Sequence, residues 1–159
     1  MCGESAGGNL AATVALMARD EKKPFVSGQL LICPIISSMI HEAPYQNCVD
    51  QYFLTKGAMQ FFWSVYLQSP ENYSKPYASP NLASDFKGLP PAVIITAEYD
   101  PLHEEGENYA DHLKAAGVPV LSKCFSEVIH GFIDLPIYDE EAKIAWIDEI
   151  GKLLKEGCF

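Results

Sequence analysis

Apolar residues along this chain fall into two kinds of run that alternate. Residues 9–19 are Ala- and Leu-rich and apolar on most faces, which predicts a buried helix ending before Lys23-Pro24. Gln29 to Ile36 is a continuous apolar run whose length suits a strand covered on both faces, with Pro34 marking its end. Residues 37–49 have little periodicity, and Pro44, Asn47 and Cys48 predict an irregular excursion there. Thr55 predicts the cap of a helix reaching Leu67, with Met59, Phe62, Trp63 and Tyr66 at i, i+3, i+4 and i+7. That aromatic stripe reads as core packing in preference to a dedicated acyl pocket. Residues 69–91 carry five prolines and predict an extended connection.

The second half repeats the alternation. Ala92 to Thr96 predicts a second strand, Leu102 to Ala116 a helix closed by Gly117, and Val118 to Phe125 a third strand. Asp139 to Lys155 predicts a last helix with Ala142, Trp146, Ile150, Leu153 and Leu154 on one face. Helices alternating with fully apolar strands predict an α/β fold, a mostly parallel sheet flanked by helices.

Three residues stand where such a sheet collects its chemistry. Gly3, Ser5 and Gly7 fit G-x-S-x-G, a strand-to-helix turn that exposes a nucleophilic serine. The competing reading makes Ser5 an ordinary helix cap. Asp100 follows the second strand, and Pro101 biases it out of the helical region, so it belongs to the loop at the strand's end. Asp100 could instead only cap the next helix, and Glu98 is the fallback acid. His130 lies in a loop after the third strand with Gly131 behind it, while His41, His103 and His112 lack such a setting. The order Ser, Asp, His, with spacings of 100 − 5 = 95 and 130 − 100 = 30 residues, means that the groups can meet only through the fold. In these roles Ser5 attacks an ester carbonyl, His130 takes its proton and Asp100 orients His130. The amide of Ala6, at the helix start, is one oxyanion donor.

The runs Gly3-Glu4-Ser5-Ala6-Gly7-Gly8-Asn9-Leu10, Tyr77-Ala78-Ser79-Pro80, Asp100-Pro101-Leu102 and His130-Gly131-Phe132 together resemble the hormone-sensitive-lipase-like branch of the α/β-hydrolases. The resemblance covers essentially the whole chain. It implies a serine carboxylesterase or lipase, the C-terminal part of the α/β-hydrolase fold, and carboxylic esters with short to medium acyl chains. It also implies that residues 55–67 border a substrate-covering cap. The chain has Glu4 where the family usually has Asp, and it lacks the His-Gly-Gly motif that the family carries before the serine.

Composition narrows the picture. With 159 residues, 48% hydrophobic and 20% charged, the chain suits one globular domain, residues 1–159. A net charge of −10 disfavours nucleic acid or an anionic membrane as partner, and a small neutral ester is easier to accept than an anion. Cys2, Cys33, Cys48, Cys124 and Cys158 form no close ligand pair and suit a reducing cytoplasm, and the chemistry requires no metal or organic cofactor. No run approaches the roughly 18 apolar residues of a spanning helix. Leu10 to Ala18 lacks a basic flank and reads as a buried helix, not a leader, so the cytoplasm is the expected location.

Only three strand signals are present, and Met1-Cys2 stand where a strand should lead into Ser5. The expectation is a domain truncated at its N-terminus, with an open sheet edge over which a second copy could pair, and weak or absent activity by itself. Two rivals are a non-catalytic fragment held by a partner chain and a fold that only binds small apolar molecules.

Overall fold

The computed structural model describes residues 1–23, 26–38 and 53–157. Its framework is a parallel sheet of four strands among the described residues: β1 (Cys2–Glu4), β2 (Gln29–Ile32), β3 (Ala92–Tyr99) and β4 (Val120–Ile129), in the order β1-β2-β3-β4. Helices α1 (Ala6–Asp20), α2 (Lys56–Leu67), α3 (His103–Ala115) and α4 (Glu140–Glu156) surround it. The predicted α/β class holds, and the strand count is corrected from three to four. Cys2 pairs with Leu30 and Glu4 with Ile32, so a strand does lead into Ser5. Three residues with little apolar content show no run of their own; only pairing with β2 defines them as a strand.

Side chains of the two central strands alternate between two cores. Leu31 and Ile94 face Ala12 and Leu16 of α1 and Tyr109 and Leu113 of α3. Val93 and Ile95 face the opposite way, toward Phe125, Phe132, Trp146 and Ile150. This period of two, covered on both faces, is why the strands read as unbroken apolar runs. A third cluster joins Met59, Trp63 and Leu67 of α2 to Ile35 and Leu102.

Boundaries differ from expectation where the backbone bends. β2 stops at Ile32, short of the predicted Ile36, because Cys33 turns into the left-handed region (φ 41) and Pro34 has no N–H to pair. β4 begins and ends later than predicted. Between the pairs Ala97↔Phe125 and Tyr99↔Ile129, β3 advances two residues and β4 four, with Glu127 at φ 60. This bulge carries β4 on to Ile129 and delivers the next residue, His130, to the sheet end that Asp100 occupies. The connection over 69–91 is not simply extended: it contains single 3-10 turns at Pro70–Asn72 and Pro80–Leu82, each opened by a proline with preset φ. Thr55 and Asp139 cap α2 and α4, accepting from the amides of Ala58 (3.2 Å) and Ala142 (2.8 Å). Most of the irregular excursion predicted over 37–49, with His41 and Cys48, lies outside the described residues, as does Cys158.

Candidate active site

Ser5 joins β1 to α1 in a conformation that side chains rarely adopt, φ 52 and ψ −116. Its backbone is held from several directions: the N–H donates to the Ile32 carbonyl (2.9 Å), and the carbonyl accepts from Asn9 (3.1 Å) and Ile35 (3.2 Å). Glycines make the turn possible. A Cβ on Gly3 would lie 2.0 Å from the Gly7 carbonyl oxygen, and one on Gly8 would lie 2.8 Å from Pro34 Cβ. Gly7 itself faces open space, so the close approach depends on Gly3 and Gly8. Ser5 occupies the cap position, yet its side chain makes no capping bond.

That hydroxyl points instead to His130, with Oγ 2.9 Å from Nε2. His130 Nδ1 lies 2.7 Å from Asp100 Oδ2, and both side chains are buried. An ionised carboxylate can only accept, so Nδ1 carries the proton; in the neutral ring Nε2 is then an acceptor for the Ser5 O–H. Asp100 Oδ1 accepts from the Leu102 amide (2.9 Å). One Asp100 oxygen thus faces His130 and the other accepts from the Leu102 amide, while the cap position of α3 is Leu102 and not Asp100.

The remaining candidates separate from this cluster. Glu98, the fallback acid, is exposed and accepts from the Glu127 amide (2.8 Å), tying β3 to β4. His112 pairs with Asn81 (2.8 Å), and His103 lies 3.8 Å from Cys124 Sγ. Ala6 is the first residue of α1 and is exposed beside Ser5. Its amide belongs to the first helical turn, whose N–H groups have no partner within the helix.

Beside Ala6 opens a cavity of about 270 Å³ lined by Asn9, Leu10, Ile35, Met59, Phe62, Trp63 and Tyr66. This corrects the reading of the α2 stripe as core. Met59 and Trp63 are buried, but Phe62 and Tyr66 are 52% and 53% exposed and form the cavity wall. Periodicity finds the stripe but cannot assign its members to core or cavity. The sequence reading also missed the braces around the site. Asn9 Nδ2 donates to the carbonyls of Ile35 and Ala78 (2.9 Å each), and Thr13 donates to Tyr77 O (3.1 Å), so the Tyr77–Pro80 stretch holds α1. Buried Glu105 accepts from the amides of Ile36 (2.6 Å) and Ser37 (3.3 Å), fixing the chain after β2. The only hint in the sequence is polar residues within otherwise apolar helix faces.

Two further groups bear on the electrostatics. The Glu4 carboxyl is pushed above its ordinary value by burial first, then by the Asp134 charge, with His130 acting in the opposite direction. One of its oxygens, Oε1, is buried without a hydrogen-bond partner among the described residues. Cys33 Sγ, an Asp100 oxygen and a His130 nitrogen lie within 4.8 Å of one another. Thiol, carboxylate and imidazole are all metal-ligand chemistries. Here, though, Nδ1 is engaged with Asp100, and burial followed by the Asp100 charge pushes the thiol far up, keeping it protonated. As arranged, Asp100 and His130 are hydrogen-bonded to each other and the thiol lies beside them.

A family model described as the alpha/beta hydrolase fold matches residues 1–134. The chain is 34% identical over 155 residues to an arylesterase of Saccharolobus solfataricus, covering 97% of this chain and 49% of that protein. Among solved structures it resembles a thermostable carboxylesterase cloned from a metagenomic library, with a TM-score of 0.89 and 35% identity over 99% of this chain and 54% of that one. A thermostable esterase from Pseudomonas putida gives a TM-score of 0.88 and 41% identity over 94% and 48%. The chain thus spans about half the length of the relatives it matches.

Proposed function

The chain belongs to the hormone-sensitive-lipase-like branch of the α/β-hydrolases, and from that premise we propose that it hydrolyses carboxylic esters through Ser5, His130 and Asp100. The observation that carries the reading is the hydrogen-bonded line from Asp100 through His130 to Ser5, which begins on a strained strand-to-helix turn.

In the proposed reaction His130 Nε2 takes the Ser5 proton as Oγ attacks the ester carbonyl carbon. Asp100 holds the imidazole in the tautomer that can accept this proton and stabilises the imidazolium that results. Negative charge on the carbonyl oxygen is met by the Ala6 amide and by the positive end of the α1 dipole. Collapse expels the alcohol, which leaves with the proton from His130. Water, deprotonated by the same nitrogen, then attacks the acyl-Ser5 ester; the acid departs and Ser5 regains its proton. Every step uses groups on this chain.

The cavity beside Ala6 suits an apolar portion of the ester, and a net charge of −10 favours a neutral substrate over an anion or nucleic acid. The reading takes residues 1–159 as one domain. Among the described residues no helix is long and apolar enough to cross a membrane. A reducing cytoplasm fits the free thiols of Cys2, Cys33 and Cys124.

The test is hydrolysis of a short-chain p-nitrophenyl ester beside the Ser5→Ala variant, with a serine-reactive phosphonate as label. Turnover that requires Ser5, with the label on Ser5, is the expected result. Folded protein that neither turns over nor takes the label rejects the enzyme reading. The apolar cavity would then favour the second one, non-catalytic binding of a small apolar molecule, read as saturable binding that Ser5→Ala leaves unchanged.

A further inference from the structure

Four neighbouring parallel strands each end in one residue at the same edge of the sheet. Ser5 follows β1, Cys33 follows β2, Asp100 follows β3 and His130 follows β4. Three of these are the proposed triad, and the mechanism above gives Cys33 no part.

Its placement is nevertheless tightly specified. Cys33 is 1% exposed, and its Sγ shares a buried cluster with Asp100 and His130, all ligating atoms within 4.8 Å. Its backbone sits at φ 41, which a residue with a Cβ adopts only when its surroundings over-determine it. The surroundings do so here: the Cys33 N–H donates to the Ile95 carbonyl (2.8 Å), and Pro34 is packed on Gly8. The left-handed turn ends β2 and leaves the thiol beside the acid and the base.

We propose that Cys33 is a positioning residue of the triad: its buried thiol, within 4.8 Å of an Asp100 oxygen and a His130 nitrogen, donates to the Asp100 carboxylate and braces the acid against the base. The proposal rests on the triad reading above.

Asp100 is otherwise fixed by Leu102, on its own loop, and by His130 itself. A carboxylate offers about four acceptor positions, so a further donor can be accommodated. His130 stands on a turn where Gly131 has φ 76, with the Gly131 carbonyl accepting from Asp134 (3.0 Å) and Leu135 (3.2 Å). Those bonds shape the turn but do not tie it to β3. One sulfur within 4.8 Å of both an Asp100 oxygen and a His130 nitrogen does, and it reaches them from the strand that lies between β1 and β3.

A thiol suits this place better than a hydroxyl or amide. Cys33 belongs to a buried apolar cluster with Val93, Ile95, Ala97, Phe125, Val128 and Phe132. A thiol enters such surroundings as a small apolar group while keeping a weak donor. Because burial beside Asp100 keeps it protonated, the donor is present across the working pH range.

The experiment reads the Asp100–His130 proton directly. In the 159-residue chain, the His130 Nδ1–H resonance is followed by proton NMR in wild type, Cys33→Ala and Cys33→Ser. Wild type and Cys33→Ser are expected to show a strongly downfield, slowly exchanging proton. In Cys33→Ala its exchange should be about tenfold faster, the ratio expected from losing one hydrogen bond to a charged group. Where turnover is measurable, kcat should fall by the same factor with KM unchanged. Cys33→Val, which fills the space without a donor, takes the place of the alanine variant should that fail to fold. Equal exchange in wild type and the donor-less variant overturns the proposal, as does Cys33→Ser behaving like Cys33→Ala. A wild type with no such resonance overturns the triad reading itself, and this proposal with it.

Discussion

Gly3 and Gly7 meet backbone to backbone at the strand-to-helix turn that carries Ser5, where a Cβ on Gly3 would stand 2.0 Å from the Gly7 carbonyl oxygen and 2.2 Å from its carbon. The end of β1 and the first turn of α1 are packed together at this point, leaving Ser5 on the outside of a bend with φ 52. The strain at Ser5 is sustained by contacts elsewhere, and this close approach is one of them.

Gly3→Ala should therefore destabilise the chain by more than about 3 kcal/mol, because neither backbone segment can yield without breaking the β1-β2 pairing. Gly7→Ala meets nothing within 4 Å and lies within a helix, so its melting temperature should match or exceed that of wild type. Thermal unfolding of the two variants side by side checks both expectations.

Asp100→Asn should lower kcat by roughly a thousandfold or more, because an amide in place of the carboxylate no longer enforces the His130 tautomer. Its carbonyl can still accept from Leu102, so stability should change little. Asp100→Ala removes that bond as well and should be less stable than Asp100→Asn by about 1 kcal/mol. Burst kinetics and chemical denaturation of the pair separate the two roles of Asp100.

Neighbours in the α2 stripe should behave differently. Trp63→Ala empties a buried site (4% exposed) and should cost about 3–5 kcal/mol. Phe62→Ala, on the cavity wall, should shift stability by no more than about 1 kcal/mol while raising KM for longer acyl chains more than for acetate. Denaturation curves and KM across a series of p-nitrophenyl esters test this split.

Glu4 makes stability depend on pH. Its folded carboxyl is raised above the ordinary 4.5, so between that value and the folded one the folded chain holds more protons than the unfolded chain. The contribution is favourable below about 4.5 and is lost as pH rises through the folded value. At neutral pH the half-buried charge beside Asp134 is a cost. Glu4→Gln should accordingly melt higher than wild type at pH 7, with the advantage shrinking as pH falls toward 4.5. An advantage that does not vary with pH would contradict this origin.

Much of the architecture was legible because it depends on local pattern. Apolar runs of strand length, the cap at Thr55, and Gly117 after α3 announce their elements without reference to anything distant. Asp100 and His130 could be named because each follows a strand signal, beside proline or glycine that shapes a turn, and Ser5 because Gly3 and Gly7 flank it before a helix. Their order along the chain narrowed the choice further.

Tertiary structure decided what depends on partners far away in sequence. β1 is a strand only through its pairing with β2, and β4 reaches Ile129 only by bulging against β3. Phe62 and Trp63 are adjacent, both aromatic and both on the cavity, but Phe62 stays half exposed there while Trp63 is buried in the core behind it, according to what α2 packs against. Cys33 looked like one of five scattered thiols until neighbouring strands placed it beside Asp100 and His130. Period, capping and turn chemistry are encoded within a few residues. Which side chains face each other at the end of a sheet is set by strand order and register, and those arise only when distant segments exclude water together.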